Sequence, residues 1–469
     1  IYKKGVRLYS TLDYNIQKAA DTTYQSNLES IRRRIKYRTA RYMYMPHHLK
    51  TPLDTIVKYW DRYYPRFEKE FINSPEEKRR RKYEQKLRFP DSLHYREAQA
   101  AVIVIENKTG AVRALIGGKN FIASKFNRAI QAVRSPGSSF KPIVYTAAID
   151  NGATPLDSIN DQPITIPDPQ DTSVVWRPKN YDGKFEGNMV LRRAFYRSKN
   201  LPAIKIAIQY GLKTIVSYAR RFGLTHRIPA VPSVGIGSCD ATLMEMTSAY
   251  TVFPNNGIRP EPYFIAFIND KEDRLIYRNI PKHHETIRPA TAYIVTSILK
   301  DVNIRGTGAS IGASGFKHSS GGKTGTTNSE TDAWYIGFTR YYTTGVWVGT
   351  DDHKPLGRGH TGSADAIPTW LSIMKEIHKD LEPQHFAIPP NVIREKVCTI
   401  SGDKAGNFCS HIAEDYFIDG TQPEQTCNGR HQIKQKDLNA GDAFNSKRKY
   451  IYTPVKNDKK SSKRVRNVF

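Results

Sequence analysis

Short stretches of consecutive or alternating apolar residues lie before and after a long helical region of the chain, and these stretches predict β-strands. Ala101 to Glu106 and Ala111 to Ile116 flank the turn sequence Asn107-Lys108-Thr109-Gly110, which predicts a β-hairpin. Two further strand-like runs, Ala333 to Thr339 and Thr344 to Thr350, follow much later in the chain. We therefore expect strands from both ends of this region to meet in one sheet.

Between these strands, the apolar period changes to that of a helix. Ala203 to Arg221, Leu243 to Val252 and Thr291 to Val302 repeat apolar residues every three or four positions. Asp161 to Tyr181 is rich in turn residues and predicts a surface loop. Near the start, a strand followed by a packing helix over Ile16 to Leu28 is predicted. This order favours a mixed α/β architecture, with a five-stranded sheet between helical layers.

One further helix carries candidate chemistry. A turn at Pro136-Gly137 leads into an apolar-periodic run from Phe140 to Ile149, which Asn151-Gly152 closes. Ser138 then lies at the helix N-terminus, with Lys141 three residues on and on the same face. The free N–H groups there would stabilise an oxyanion. This is a Ser-x-x-Lys nucleophile arrangement, although such a pair alone is more often a capping serine and a solvated lysine.

Two more motifs give this pair a context. Ser198-Lys199-Asn200 follows a helical segment and is predicted on a connecting loop, and Lys323-Thr324-Gly325 lies in a Gly-rich stretch before the last strands. Gly325 would let another backbone, such as a peptide substrate, approach closely. The order Ser-x-x-Lys, Ser-x-Asn, Lys-Thr-Gly is the active-site set of penicillin-recognising serine enzymes.

The resemblance extends beyond the motifs. From about Arg96 to Trp370 the chain resembles the transpeptidase domain of class A penicillin-binding proteins, and Arg7 to Asp13 is similar to the linker that follows their glycosyltransferase half. The implied fold is that of penicillin-binding proteins and β-lactamases, a mostly antiparallel five-stranded sheet sandwiched by helices. The matching stretches are Ala101 to Ile105, Gly117-Gly118, Phe126 to Ala129, Pro136 to Pro142, Ala249-Tyr250, Gly321 to Thr327 and Gly362 to Trp370.

The resemblance implies acyl transfer through a serine ester. Ser138 would attack a peptide carbonyl, and a neutral Lys141 would accept its proton, because burial and the charge of Lys323 lower the pKa of Lys141. Ser198 would relay the proton to the leaving amine. Asn200 would hydrogen-bond both Lys141 and the acyl-side backbone of the substrate.

The same resemblance assigns the substrate-binding strand. The hydroxyls of Thr324 and Thr326, with Gly325 between them, would bind the terminal carboxylate of a D-Ala-D-Ala stem peptide. The N–H groups of Ser138 and Thr326 would form the oxyanion hole. The implied partners are peptidoglycan stem peptides, glycan strands and β-lactam antibiotics. This mechanism calls for no metal and no cofactor.

Several other functions compete with D,D-transpeptidation. A D,D-carboxypeptidase differs only in its acceptor, which is water, and the three motifs do not separate the two. A β-lactamase needs a glutamate for deacylation, but the run from Glu261 to Ile265 lacks the required Asn and lies too far from Ser198. A non-catalytic binder is supported by charge alone. A degenerate sensor is disfavoured by the intact motif residues.

Two other motif matches are dismissed. Gly308-Ala309-Ser310-Ile311-Gly312 matches Gly-x-Ser-x-Gly but follows a Gly-rich loop rather than a strand, so no nucleophile elbow is expected. Gly322-Lys323-Thr324 ends like a phosphate-binding loop, but Lys317 stands where that motif needs Gly. Neither an esterase elbow nor an ATPase is therefore predicted.

Charge is the strongest compositional signal. The 469 residues carry a formal net charge of +27 at pH 7, which favours anionic surroundings such as nucleic acid, lipid headgroups or phosphate-bearing wall polymers. Residues 31–96 interleave basic and aromatic side chains and predict a basic insertion, more plausibly a solvated helical hairpin than a binding module. Residues 446–469 predict a disordered basic tail that could contact anionic polymers.

The remaining boundaries follow from these segments. Residues 1–30 are interpreted as a linker from an upstream glycosyltransferase half, 97–395 as the transpeptidase domain and 396–445 as a cysteine-containing C-terminal segment. No apolar run is long enough to span a bilayer. The family resemblance therefore implies an extracytoplasmic domain whose membrane anchor lies upstream of this chain.

The four cysteines leave alternatives open. Cys239 is predicted to be a small buried side chain. Cys398, Cys409 and Cys427 cluster near the end of the chain, where an extracytoplasmic setting favours one disulfide and a spare thiol. A Cys3His zinc site with His411 or His431 is the less favoured alternative, because the spacings fit no compact zinc knuckle.

Overall fold

A five-stranded antiparallel sheet lies at the centre of the computed structural model. The model describes residues 5–43, 98–167, 175–327 and 330–429, together with positions 55, 58 and 62. The strands of this sheet are Gln99–Glu106 (β2), Val112–Ile116 (β3), Gly321–Thr326 (β12), Asp332–Phe338 (β13) and Tyr342–Gly349 (β14). The strand order is β12-β13-β14-β2-β3, and every neighbouring pair is antiparallel. The predicted sheet is thereby confirmed.

Both faces of this sheet are buried, which explains why β2 is a continuous apolar run rather than an alternating one. Ala101, Ile103 and Ile105 face one hydrophobic core. The residues between them, including Val102 and Val104, face a second core on the opposite side. Successive side chains of a strand point to opposite faces, so one strand contributes to two separate packing layers.

The first core is covered by helices from the middle of the chain. Its central helix has every residue buried from Lys141 to Ile149, and Pro142 occupies the first turn, where its missing N–H is tolerated. The α-helices of the described residues after the first one are Lys141–Asp150 (α2), Leu191–Tyr196 (α3), Asn200–Gln209 (α4), Leu212–Arg221 (α5), Leu243–Tyr250 (α6), Pro289–Arg305 (α7), Ala309–Gly312 (α8) and Ile367–Ile377 (α9).

The predicted helix over Ala203 to Arg221 is wrong as a single element. It is two helices, α4 and α5, separated at Gly211. Gly211 has φ of +92°, a left-handed conformation that glycine adopts without a Cβ penalty and that ends a continuous helix. The apolar period continues across the break because both helices bury one side, so periodicity alone does not reveal it.

The second face of the sheet is covered by the first helix, Tyr14–Met43 (α1), and by α9. Its buried residues recur every three or four positions, as a helix packed along one side requires. They are Ile16, Ala20, Tyr24, Leu28, Ile31 and Ile35. The predicted boundary between residues 30 and 31 is therefore wrong, because it falls inside a helix that remains part of the core.

Short strands complete the periphery. The first strand, Arg7–Ser10 (β1), pairs with Ile265–Asn269 (β9), which also pairs with Leu275–Arg278 (β10). The strand and helix predicted at the start of the chain are thus confirmed. The other peripheral strands are Ser158–Asp161 (β4), Ile166–Pro167 (β5), Val175–Trp176 (β6), Gly187–Val190 (β7), Ile258–Pro260 (β8) and His283–Glu285 (β11).

A separate hairpin follows α9. It consists of Val392–Cys398 (β15) and Ile412–Ile418 (β16). The predicted boundary at 395/396 lies inside β15 and is corrected to a position before it. The hairpin is attached to the helical layer by Arg192, whose buried guanidinium forms ion pairs with Asp301 of α7 and Asp415 of β16.

Most of the predicted basic insertion and the predicted tail lie outside the described residues. Residues 31–43, which belong to α1, and positions 55, 58 and 62 are the exceptions. None of the helices in the described ranges has an apolar stretch long enough to cross a bilayer.

Candidate active site

The predicted nucleophile lies on a tight turn in front of α2. Gly137–Phe140 forms a 3₁₀ turn, and the N–H of Lys141 donates to the Ser138 carbonyl as the α-helix begins. Ser138 is half-buried. Gly137 has φ of +52°, and a Cβ there would approach the Thr326 carbonyl oxygen to 3.0 Å. The turn therefore packs tightly against β12, so Ser138 lies beside the strand that carries the Lys323-Thr324-Gly325 motif.

Lys141 is completely buried and points at the second motif. Its Nζ donates to the carbonyl oxygens of Ser198 at 2.7 Å and Lys199 at 3.1 Å. It also donates to Asn200 Oδ1 at 2.8 Å and lies 3.4 Å from Ser198 Oγ. All these partners are neutral, so no carboxylate compensates an ammonium charge here directly.

This setting perturbs the proton affinity of the amine. Burial lowers the pKa of Lys141 well below its usual value, the charge of Lys323 lowers it further, and Asp161 acts in the opposite direction. A lysine with a lowered pKa is available as a neutral base at pH values where an exposed lysine is not. The electrostatics expected from the sequence are therefore present.

Ser198 bridges the two buried lysines. Lys323 Nζ donates to Ser198 Oγ at 2.8 Å, and Lys141 Nζ lies 3.4 Å from the same oxygen. Ser198 has φ of +58°, which is uncommon for a residue with a Cβ and holds its hydroxyl between the two amines. A hydroxyl is both donor and acceptor, so this position can pass a proton from one amine towards the other side.

Lys323 is also fully buried. Its Nζ donates to the Thr324 carbonyl at 3.0 Å and lies 3.5 Å from Thr324 Oγ1. Burial lowers the pKa of Lys323 to about 7. The two amines share one hydroxyl, so a proton on one disfavours a proton on the other.

Asn200 differs from its predicted position on a loop. Its Oδ1 accepts from Lys141, as expected, but its Nδ2 donates to the Lys179 carbonyl at 2.9 Å. Asn200 opens α4 rather than lying on the loop. One amide hydrogen is thus used within the chain, and one is left for a substrate backbone.

Two hydroxyls of the third motif's strand are hydrogen-bonded to neighbouring segments. Thr324 Oγ1 hydrogen-bonds Thr307 Oγ1 at 2.7 Å, and Thr326 Oγ1 accepts from the Gly362 amide at 3.2 Å. Gly325 was predicted to let another backbone, such as that of a peptide substrate, approach closely, and the backbone that approaches it within the described residues is that of the nucleophile turn. A Cβ there would lie 2.5 Å from the Pro136 carbonyl and 3.1 Å from Ser139 Cβ, so the glycine accommodates the nucleophile turn.

Family comparison supplies the identity of this arrangement. Residues 100–375 match the penicillin binding protein transpeptidase domain. The chain belongs to this family. Residues 388–431 match the C-terminal domain of penicillin-binding protein 1A, which covers the β15–β16 hairpin and the three clustered cysteines. The resemblance inferred from the motifs is confirmed.

Relatives from several bacteria support the same assignment. Penicillin-binding protein 1A of Neisseria gonorrhoeae is 38% identical over 301 residues, which are 63% of this chain and 38% of that protein. The Pseudomonas aeruginosa and Aquifex aeolicus proteins of the same name are 35% and 33% identical over 66% and 72% of this chain, and over 43% and 46% of their own lengths. The chain therefore spans less than half the length of these relatives.

Solved structures bear out the fold. Penicillin-Binding Protein 1A from Haemophilus influenzae superimposes with a TM-score of 0.74 at 24% identity, over 90% of this chain and 73% of that chain. PonA1 from Mycobacterium tuberculosis gives a TM-score of 0.60 at 21% identity, over 82% and 88% of the two chains. The predicted fold class of this penicillin-binding transpeptidase domain is thus confirmed.

Sequence reasoning missed the residues that hold the Ser198–Asn200 turn in place. Lys199 is buried, and its Nζ lies 3.1 Å from Asp182, 3.1 Å from Glu186 and 3.5 Å from Asp161. We call these three carboxylates the acidic cluster. The only available signal was the lysine between two motif residues. Asp161 is fully buried although its segment was predicted as a surface loop, and that part of the prediction is corrected.

Asn180 was missed as well. Its Oδ1 accepts from the Asn200 amide at 2.8 Å, while its Nδ2 donates to Asp161 at 2.7 Å and to the Lys184 carbonyl at 2.8 Å. This buried amide links the acidic cluster to the first residue of α4. It therefore fixes the direction from which Asn200 approaches Lys141.

The dismissed motifs lie elsewhere, as predicted. Ser310 is exposed and belongs to the four-residue helix α8, so no strand leads into it. Glu261 is exposed and lies 3.4 Å from His284.

The cysteine prediction needs correction. The four cysteines of the described residues are free thiols, and no disulfide joins Cys398, Cys409 or Cys427. Cys239 is buried as predicted, and burial raises the pKa of its thiol.

Proposed function

We propose that this domain is a D,D-transpeptidase that cross-links peptidoglycan stem peptides through an acyl-enzyme on Ser138. The observation that carries the proposal is the contact of one hydroxyl, Ser198 Oγ, with the amines of both Lys141 and Lys323. Each motif contributes one member of this trio. Two buried lysines beside each other serve no packing purpose, since each is costly to bury with its charge.

Acylation would proceed by general base catalysis. Neutral Lys141 takes the proton of Ser138 Oγ as that oxygen attacks the carbonyl of the penultimate D-Ala. Ser198 receives the proton from Lys141 and passes its own to the leaving D-Ala amine. Deacylation reverses the path, with the acceptor amine attacking the ester and losing a proton to the same relay.

Binding groups complete the proposed site. Lys323 supplies positive potential, and the hydroxyls of Thr324 and Thr326 face the terminal carboxylate of the stem peptide. The N–H groups of Ser138 and Thr326 form the oxyanion hole. The close packing of Gly137 against Thr326 supports this pairing, because it brings the two backbones together. PonA1, which has the same fold, has a structure in complex with penicillin V.

We further infer that the domain works outside the cytoplasm as the transpeptidase half of a longer, membrane-anchored protein. The relatives named penicillin-binding protein 1A are more than twice as long as their matched segments. An upstream anchor and glycosyltransferase half would supply glycan strands beside the cross-linking site.

The first test is labelling with a fluorescent penicillin, followed by intact mass over time. The native chain should form a stoichiometric adduct that persists for many minutes, and Ser138→Ala should form none. Ser310→Ala is the matched control and should label like the native chain, because that serine is exposed and belongs to α8. Equal labelling of Ser138→Ala would refute the proposal.

A second test separates transpeptidation from carboxypeptidation. The chain is incubated with a D-Ala-D-Ala stem pentapeptide and an excess of an acceptor amine, and the products are resolved by mass. A transpeptidase gives the amine adduct with loss of D-Ala. Tetrapeptide alone, at every amine concentration, would assign the chain to the carboxypeptidases instead.

A further inference from the structure

Three cysteines converge at the end of the C-terminal hairpin although they are far apart in sequence. Cys398 is the last residue of β15, Cys409 lies in the β15–β16 connection and Cys427 follows β16. Their Sγ atoms all lie within 4.8 Å of one another. Cys398 and Cys427 are buried, whereas Cys409 is half-exposed.

The backbone around the cluster is shaped to bring the sulfurs together. The Cys427 amide donates to the Lys404 carbonyl at 2.9 Å, and Lys404 forms bridges to Val397 and Thr426. A Cβ at Gly406 would lie 2.2 Å from the Cys427 carbonyl oxygen. This close approach requires glycine and holds the Cys409 turn against the Cys427 strand.

A backbone N–H is directed at one of the sulfurs. The Gly406 amide donates to Cys409 Sγ at 3.3 Å. Hydrogen bonds from the surrounding chain orient the ligands of a metal site. This contact fixes the direction of the Cys409 sulfur within its turn.

A disulfide with a spare thiol accounts poorly for this geometry, because a disulfide joins two sulfurs and gives the third no reason to converge on them. A tetrahedral zinc ion with Zn–S bonds of about 2.3 Å places its sulfur ligands about 3.8 Å apart. Three convergent sulfurs therefore match a metal site better than a redox pair.

We propose that Cys398, Cys409 and Cys427 form a structural zinc site of the C-terminal subdomain, with three thiolate ligands and a fourth position open on the Cys409 side. The fourth ligand is water or a histidine. His411 is the nearest histidine in sequence to Cys409 among the described residues; its Nδ1 lies 2.9 Å from Ser410 Oγ, and its ring would have to turn to reach the three sulfurs. His431 lies outside the described residues.

Such an ion would have a mechanical role. Residues 419–429 follow β16 and return to the β15–β16 connection through the backbone contacts of Lys404. A zinc ion would join the strand, the connection and the returning segment at one point, as a disulfide does in domains too small for a large core.

Zinc content of the chain, purified without reductant, is the direct test. The native chain should carry one zinc, and each of Cys398→Ser, Cys409→Ser and Cys427→Ser should lose it. Cys239→Ser is the matched control and should keep the full content, since that thiol lies in the catalytic core. A native chain without zinc, two hydrogens lighter than its sequence mass, would show a disulfide and overturn the proposal.

Cobalt substitution keeps the test decisive if a variant fails to fold. The native chain, exchanged into Co²⁺, should show thiolate-to-cobalt charge-transfer absorption, and penicillin labelling should show that the catalytic domain remains native. Loss of part of the signal in His411→Ala would identify the fourth ligand, and an unchanged signal would assign that position to water. Absence of the charge-transfer band in folded protein would refute a thiolate site.

Discussion

The turn of Ser198, Lys199 and Asn200 separates two environments that treat a buried lysine in opposite ways. On one side, Lys141 and Lys323 meet hydroxyl, amide and carbonyl oxygens, and burial lowers the pKa of both. On the other side, Lys199 is also buried, but the carboxylates of Glu186, Asp182 and Asp161 outweigh burial and raise the pKa of Lys199.

The contrast shows that burial alone does not make a lysine into a base. A buried amine becomes neutral only where no carboxylate compensates its charge. The two environments are also connected, because Asp161 lies close enough to act on Lys141 in the direction of a higher pKa. Lys199 offsets part of the charge of Asp161, which it shares with Asp182 and Glu186. The acidic cluster therefore holds the turn in place while Lys199 shields the amine of Lys141 from part of its charge.

The largest expected effect follows from removing the neutral amine. Lys141→Met should lower the rate of penicillin acylation about 10²–10⁴-fold, the range attributed to a lost general base. Lys141→Arg should lose as much, because a guanidinium stays protonated and cannot accept the serine proton. Stopped-flow acylation kinetics measure both. If Lys141→Arg acylated at the native rate, positive charge rather than basicity would be the role of this position.

The second-largest effect is expected from removing the charge of Lys199, on the opposite side of the turn. Lys199→Met leaves Asp161 buried without its counter-ion, which should lower the free energy of unfolding by roughly 3–5 kcal/mol. Denaturant unfolding of Lys199→Met measures this. The exposed Lys213→Met on α5 is the matched control and should unfold like the native chain.

Lys199→Met should also shift the pH dependence of acylation. The unshielded charge of Asp161 would raise the pKa of Lys141, so the acid limb of the acylation profile should move to higher pH. A variant that loses stability without moving this limb would confine Lys199 to a structural role.

Comparison of these two environments also indicates what the sequence could predict. Ser138, Lys141, Ser198 and Lys323 were found because each belongs to a short motif of fixed spacing. Lys199 was passed over because the motif leaves its position free. Its partner Asp161 lies in a turn-rich segment, and only tertiary packing buries that carboxylate.

The elements followed the same logic. Strand β2 and helix α2 were predicted because a continuous apolar run and a helical period are local signals. The end of α1 was not predicted. Ile31 and Ile35 continue the buried side of this helix through a segment whose basic composition indicated a domain boundary. The convergence of the three cysteines depends on the path of the hairpin, which their spacing does not reveal.

A smaller effect is expected at the amide that connects the two environments. Asn180→Ala removes the acceptor of the Asn200 amide and a donor to Asp161, and it should lower the free energy of unfolding by about 1–3 kcal/mol. Acylation should slow as Asn200 loses its fixed approach to Lys141. Asn188→Ala is the control, because that exposed side chain bonds only Asn160 among the contacts that the structure gives it. If Asn180→Ala and Asn188→Ala had the same free energy of unfolding, this role of Asn180 would be contradicted.

The smallest effect concerns the pH profile of the native chain. Lys141 must be neutral to accept a proton, so acylation should rise as the pH increases through its lowered pKa. Lys323 must be charged to attract the penicillin carboxylate, and its pKa of about 7 implies that this attraction weakens as the pH rises above that value. The profile should therefore be bell-shaped, with limbs that belong to the coupled pair rather than to either lysine.

The variant Lys323→Arg keeps its charge at high pH and should flatten the alkaline limb while the acid limb remains. If the alkaline limb is unchanged in Lys323→Arg, that limb belongs to another group. The two lysines would then not act as the coupled pair that their common contact with Ser198 implies.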